Sequence, residues 1–281
     1  MFTCLKDTTW NNLRIVNGLF FTFILLYSSQ TKVEAQDFYA HRHEEQTYFS
    51  FGLGAAGYYG DLQDEIILIP LPALTAEISH RIAPAVRLKG GVSWFFLNAT
   101  DRNSPNEDFQ IRNLSFASNN LEMAASLEFH FFRQYSHGLR ALINPFFVIG
   151  VGLVTVSPTA KYQGKRHALR PLRTEVISYS ATTTTIPIGF GVRFKVNKHT
   201  TLIAEFAYRF TRSDYLDDVS SVYPDLEELP PLVKALSDRR QELGYPVAHE
   251  GSIRGNPDNN DGYYLLNLRL EGMFSKVFER R

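Results

Sequence analysis

The residues with chemical potential are few and scattered. His41-Arg42-His43-Glu44-Glu45 offers two imidazoles and two carboxylates within five positions, donors that suit zinc or copper. A closed zinc site needs further ligands elsewhere, and no second cluster is evident, so a polar lead-in to the first strand is the preferred reading. Asp217-Asp218 with Asp258 or Asp261 could hold calcium through carboxylate oxygens. Turn and cap chemistry accounts for the same residues more simply. Between Pro158 and Glu175, Lys161, Lys165, Arg166, Arg170 and Arg173 gather around His167 and could meet phosphates or an acidic partner. The motifs G-x-S-x-G, H-E-x-x-H and G-x-x-x-x-G-K-[ST] do not occur. His80, His130, His137 and His199 could serve as bases, but none has a nucleophile evident beside it. The expectation is no catalytic site, no metal and no cofactor.

The elements that would position these residues begin with composition. The 281 residues carry 29 Lys plus Arg and 29 Asp plus Glu, so there is no basic excess for nucleic acid. Hydrophobic residues make 44%, too many for disorder. The single Cys4 rules out a disulfide framework. Lys6 and Arg14 precede the apolar run Ile15 to Tyr27, which is too short to span a bilayer as a helix. Val33-Glu34-Ala35 follows with small residues at a cleavage position. Together these describe a signal peptide over 1–35, then a periplasmic segment over 36–47. Cys4 precedes the apolar run and is not a lipoprotein cysteine.

From residue 48 onward the pattern is period-two alternation. Phe49, Phe51, Leu53 and Ala55 oppose Ser50, Gly52 and Gly54, and the theme recurs near 73–82, 85–97, 120–132, 147–153, 182–195, 201–210 and 264–274. The polar faces hold Glu77, Glu122, Glu128, Glu205 and Glu271 against Arg87, Lys89, Arg193, Lys195, Arg209 and Arg269. Charges of both signs on one face predict an interior ion-pair network, while the opposite faces are almost uncharged, as lipid requires. Pro187 falls on the inward face and should weaken pairing there.

Connections alternate in length. Gly57–Pro70, Asn98–Asn113, Pro158–Glu175 and Ser213–Asp261 are long; Ala83–Pro84, Arg133–Ile143 and Asn197–Thr200 are shorter. A soluble β-sandwich also alternates, but the asymmetry of loops and the charged face favour an outer-membrane barrel. The predicted fold is all-β: an eight-stranded antiparallel transmembrane up-and-down β-barrel over 48–281, OmpA/OmpW-like, with long external loops and both termini periplasmic. Eight strands leave a lumen just wide enough for side chains, so a plugged interior and no wide pore are expected. The basic 158–175 loop would then face lipopolysaccharide. Some small outer-membrane barrels are enzymes with a rim histidine, but the expectation here is not an enzyme. Within the loop 213–261, Pro231–Leu243 reads as a short helix with Pro231 at its first position, Gly244 as its C-terminal cap, and Leu232, Leu236 and Leu243 on one side.

The strand pattern with Gly57-Tyr58-Tyr59-Gly60-Asp61-Leu62, then Asp214-Tyr215-Leu216-Asp217-Asp218-Val219-Ser220 and Arg254-Gly255-Asn256, resembles the PorG-type outer-membrane barrels of Bacteroidota. The Asp214–Ser220 segment is the most specific part. The resemblance implies a barrel associated with the type IX protein secretion machinery, where PorG is linked to periplasmic ring proteins. It singles out Gly60, Asp61, Tyr215, Asp217, Asp218, Arg254, Gly255 and Asn256 as loop motif residues. Pro231–Leu243 looks like an insertion, and Glu279-Arg280-Arg281 departs from the usual aromatic ending, for which Phe278 could substitute. Two functions follow as expectations: a structural or anchoring component of that machinery, or a free-standing barrel that stabilises the envelope or binds a ligand through its loops.

Overall fold

In a computed structural model, residues 47–63, 71–134, 141–197 and 200–273 are described. The signal segment, the 36–46 stretch with His41–Glu45, the middle of the 133–143 connection, His137, His199 and the C-terminal tail with Phe274 and Phe278 lie outside them.

Alternation produces strands, and their outward apolar and inward polar faces curl them into a ring. In chain order the strands are β1 (Thr47–Tyr59), β2 (Leu71–Ala83), β3 (Val86–Thr100), β4 (Ser115–His130), β5 (Ile143–Thr155), β6 (Pro158–Tyr162), β7 (Lys165–Ala168), β8 (Thr182–Lys195), β9 (Thr200–Thr211) and β10 (Gly262–Met273). Eight of them pair antiparallel with their neighbours, and β1 with β10 closes the barrel. A closed ring leaves no unpaired edge, the condition for a sheet to cross lipid. The ladder between β5 and β8 lapses opposite Pro187, between the pairs Ile149–Ile188 and Gly152–Thr185. The missing proline N–H is the physical reason.

Apolar side chains on the outer faces stand exposed on every barrel strand, among them Phe51, Ile78, Val92, Met123, Leu153, Phe190, Phe210 and Leu268. A water-soluble protein rarely exposes so continuous a belt. Charged side chains are buried inside. This inside-out distribution makes the chain a transmembrane β-barrel of the outer-membrane type. No helix among the described residues is long and apolar enough to cross a membrane, so the strands do the crossing. On the outer wall Tyr264 lies across Gly57, where a side chain at 57 would collide with its ring.

The two ends differ. The ends of the described barrel and the short connections, including the two-residue turn Pro84-Ala85, share one end. The four long connections share the other. There the β3–β4 loop carries the helix α1 (Glu107–Arg112), and the β9–β10 loop carries α2 (Pro231–Ser237). Pro231 does begin α2, but the helix stops at Ser237 and only a 3-10 turn covers Arg240–Leu243 before Gly244 closes it in a left-handed conformation. Asp238 breaks the helix because its carboxylate accepts from the backbone N–H of Arg240 and of Ala248, pulling the chain outward. Leu236 is buried, whereas Leu243 is exposed and does not join the apolar side. The 158–175 stretch, expected to be a loop, is mostly the hairpin β6–β7, joined to the barrel wall through the pairs Ala117–Thr159 and Ser118–Pro158.

Candidate functional site

The lumen is filled by two materials. Toward the short-turn end, Lys89 Nζ reaches Glu205 at 2.8 Å, Glu77 at 3.3 Å and Glu128 at 3.6 Å. Arg269 pairs with Glu205 at 2.6 Å and Glu77 at 3.1 Å. Arg193 bridges Glu128 at 2.6 Å and Glu271 at 2.7 Å, and Glu271 also receives Arg87 at 3.1 Å. A step higher, Glu122 accepts from Thr185 and Tyr263 and lies 3.4 Å from Arg209. Five acids therefore face five bases, all buried. Lys195 corrects the expected set: it occupies the last position of β8, only half-buried, and forms no ion pair among the described residues. A lysine at a barrel rim extends its ammonium to water.

Toward the long-loop end the lumen turns apolar. Tyr58, Phe95, Leu97, Phe116, Val154, Tyr263 and Leu265 pack into one cluster, and the β9–β10 loop inserts Leu216 and Val219 among them. Leu216 and Val219 are buried, as core side chains are. The loop thus stoppers the barrel with its own residues.

Above the stopper the motif residues of the β1–β2 and β9–β10 loops converge with partners from the β5–β8 connection. Asp61 and Gly60 belong to the tight turn after β1, held by paired backbone hydrogen bonds between Gly60 and Gln63. Asp61 accepts the Asn256 backbone N–H at 2.7 Å. Arg254 is fully buried; it donates to Glu175 Oε1 and to the Asp218 carbonyl, both at 2.6 Å, and to the Ser237 carbonyl at 3.2 Å. Asp217 accepts from Tyr58, and Asp218 from Thr174 and Tyr179. Tyr215 stacks on Tyr179 with ring centroids 4.6 Å apart and donates to Glu175. Gly255 approaches the Ser220 backbone so closely that a Cβ would sit 2.7 Å from it.

Three further hubs join them; the sequence did not single out Glu175 or Arg112 and named Asp261 only as a candidate calcium ligand. Glu175 receives Arg254 and the backbone N–H groups of Ser220 and Ser221. Arg112 clamps Asp101 through two hydrogen bonds and reaches the carbonyls of Asp61 and Arg254. Asp261 lies 2.6 Å from the same Tyr58 hydroxyl and accepts from the Leu216 N–H. Glu175 had a signal: it is the only acid in the basic 158–175 stretch.

Burial dominates the electrostatics of this cap. It pushes Asp61 and Asp218 up to about 6 and Asp214 up to about 7, the last raised further by Asp61 and Glu175. Asp217 and Asp261 are held well above the usual carboxylate range, first by burial and, for Asp261, by the Asp217 charge. A buried carboxyl of this kind keeps its proton. The acids serve one another, the arginines and the backbone, and among the described residues no group of three or more His, Cys, Asp or Glu is arranged to hold a metal. Asp258, the other candidate calcium ligand, lies in an Asn256 turn, its N–H donated to the Asn256 side chain.

A cleft of about 400 Å³ opens beside the cap, lined by Phe109, Arg112, Tyr223, Arg240, Ile253 and Asn256. That volume is within the range of small-ligand sites. Of the candidate bases, His80 hydrogen-bonds Thr47 at 3.0 Å near the short-turn end, and His130 sits 3.4 Å from Glu128 in the lumen.

This architecture of sealed lumen and cross-linked loops coincides with a sequence family. Residues 32–232 match the family described as a domain of unknown function, DUF6089. The chain belongs to the DUF6089 family. The match covers β1 through β9, stops at the second residue of α2, and ends before Arg254-Gly255-Asn256 and β10. No curated protein matches the chain in sequence. Among solved structures, the DUF6089 chain is similar to the N-terminal β-barrel domain of Pseudomonas aeruginosa OprF, at 9% identity over 82% of this chain and 100% of that one, with a TM-score of 0.39. It is similar to Neisserial surface protein A at 11% identity, covering 81% and 97%, TM-score 0.41. It is also similar to Ail, the attachment invasion locus protein of Yersinia pestis, at 9% identity, covering 82% and 99%, TM-score 0.40.

Proposed function

We propose that this DUF6089 protein is exported by its N-terminal signal, sits in the outer membrane with its long loops outside and both termini in the periplasm, and acts as a non-enzymatic anchor associated with the type IX secretion machinery. The observation that carries this reading is the sealed lumen. Buried ion pairs fill one part and an apolar stopper fills the other, which argues against a transport role and leaves the two ends as the working surfaces. The resemblance to PorG-type barrels supplies the partner: periplasmic ring proteins, met by the N-terminal segment or the 133–143 connection. Outer-membrane lipid surrounds the belt.

The test is a deletion strain complemented from a plasmid. Proteins that leave by the type IX route should accumulate in the periplasm on deletion and be exported again on complementation. Unchanged export would overturn the secretion role. Unaltered lipid A and phospholipid profiles in the same strain are expected of a non-enzyme. A second reading, a free-standing barrel that binds a ligand through its loops, draws on the cleft beside Arg112 and Arg240.

A further inference from the structure

The hairpin β6–β7 concentrates one sign of charge. Lys161, Lys165, Arg166, Arg170 and Arg173 are all exposed, none has an ion-pair partner among the described residues, and no acid occurs from Pro158 to Thr174. Lys161 stands directly opposite Arg166 in the ladder. Like charges facing each other across strands repel, so this pair costs the isolated hairpin stability.

The hairpin is nonetheless held firmly. Ala160 and Leu169 are buried against Leu236 of α2, and β6 is sewn to β4. The register turns Thr159 and Lys161 toward the same outer side as Ala117 of β4, over the lipid-facing wall. Lys161 and Arg166 share that outer side, Lys165 stands at the turn opposite Tyr162, and Arg170 and Arg173 follow β7. Exposed cations without acidic partners above a membrane fit a polyanion.

Height selects the anion. The outermost aromatic pair on the neighbouring wall, Trp94 and Phe96, with ring centroids 4.8 Å apart, pairs with Leu121 and Asn119. Aromatic side chains of this kind mark the membrane interface. Lys161 lies four residues beyond the level of Asn119, the partner of Phe96. That is about 13 Å along a strand, or about 10 Å along the barrel axis at the usual tilt. The headgroup layer of a bilayer is only about 5–8 Å thick on each side. Phospholipid phosphates lie too low, whereas the sugar phosphates of a glycolipid reach this height.

We propose that the outer face of the β6–β7 hairpin binds phosphate groups on the saccharide of an outer-leaflet glycolipid. The inference rests on the outer-membrane orientation proposed above and is independent of any secretion role. Charge-assisted hydrogen bonds from Arg and Lys to phosphate supply the attraction and relieve the Lys161–Arg166 repulsion.

The test is native mass spectrometry of the full-length mature barrel mixed in detergent with one of three lipids: intact lipopolysaccharide, lipopolysaccharide stripped of phosphate, or phosphatidylglycerol. The variant K161Q/K165Q/R166Q/R170Q/R173Q is compared with wild type, and unchanged heat-modifiable mobility on gels confirms that it folds. Intact lipopolysaccharide should bind wild type at least tenfold more tightly than the variant, with phosphate-free lipopolysaccharide binding both equally weakly. Equal binding of the intact glycolipid to both proteins would overturn the proposal. So would undiminished binding after phosphate removal, or an equal preference for phosphatidylglycerol, which would mark a general anionic patch. Export in the deletion strain is read separately, so failure here and failure of the secretion reading are distinguishable.

Discussion

The hydroxyl of Tyr58, at the loop end of β1, lies 2.7 Å from Oδ2 of Asp217, 159 residues later in the chain. The same hydroxyl is 2.6 Å from Oδ1 of Asp261. A phenol has one proton to donate, and two carboxylates at hydrogen-bond distance require a second. One of the acids therefore carries a proton, which agrees with the raised affinity of both for it.

Tyr58→Phe removes the bridge and leaves two buried carboxyl groups facing each other. A loss of about 1–3 kcal/mol in unfolding free energy is expected, measured by urea titration of the barrel refolded in micelles. Asp217→Asn keeps a neutral partner for the phenol and should cost less. If the Asn variant is the more damaging, the shared-proton account is wrong.

The cap should loosen as pH rises. Asp61, Asp218 and Asp214 bind protons more tightly when folded than when unfolded. Their stabilisation is complete at low pH and is lost as pH climbs from the ordinary carboxylate value through about 6 and 7. Limited proteolysis of the β9–β10 loop should be slower at pH 5 than at pH 8. A rate that falls between pH 5 and pH 8, after correction for the protease's own profile, would contradict the sign.

In the lumen, Glu205 and Arg209 should respond unequally to charge reversal. Glu205 holds both Lys89 and Arg269, whereas Arg209 has one longer ion pair, to Glu122. Breaking a buried pair costs about 3–5 kcal/mol. Glu205→Lys should lower the melting temperature in detergent strongly, and Arg209→Glu less. Unchanged melting for both would remove the buried-network assignment.

Gly255→Ala tests the close approach to Asp61 and Ser220. Its Cβ would meet the Asp61 carboxylate and the Ser220 backbone, so the Arg254-Gly255-Asn256 turn has to shift. Faster proteolysis of the cap, with heat-modifiable mobility of the barrel unchanged, is the expected outcome.

The barrel was legible because lipid and a narrow lumen impose opposite demands on alternating residues. Ten of the eleven charges assigned to the lumen lie there; Lys195 escapes because the strand ends beside water. The hairpin β6–β7 was hidden. It turns at Gln163-Gly164, both with positive φ, and Gln is not among the usual turn signals at that first position. Its buried side offers Pro158, Ala160 and Tyr162 from one short strand and His167 and Leu169 from the other, runs too short and too weakly apolar to show a period. The motif residues of the cap were legible as types, but their partners were not. Arg112 and Arg254 meet across 142 residues, and no local spacing encodes such a contact.

The stitching of the cap has a temporal side. Tyr58, Asp61 and Arg112 emerge early in the chain, whereas Asp217, Arg254 and Asp261 come from its last third. Contacts of such sequence separation form late, because the intervening chain must first be ordered. A barrel still lacking β10 would hold its early partners unsatisfied at an open mouth. Completion of the cap therefore reports that the first and last strands have met, so its proteolytic resistance could be used to time the closing step of assembly.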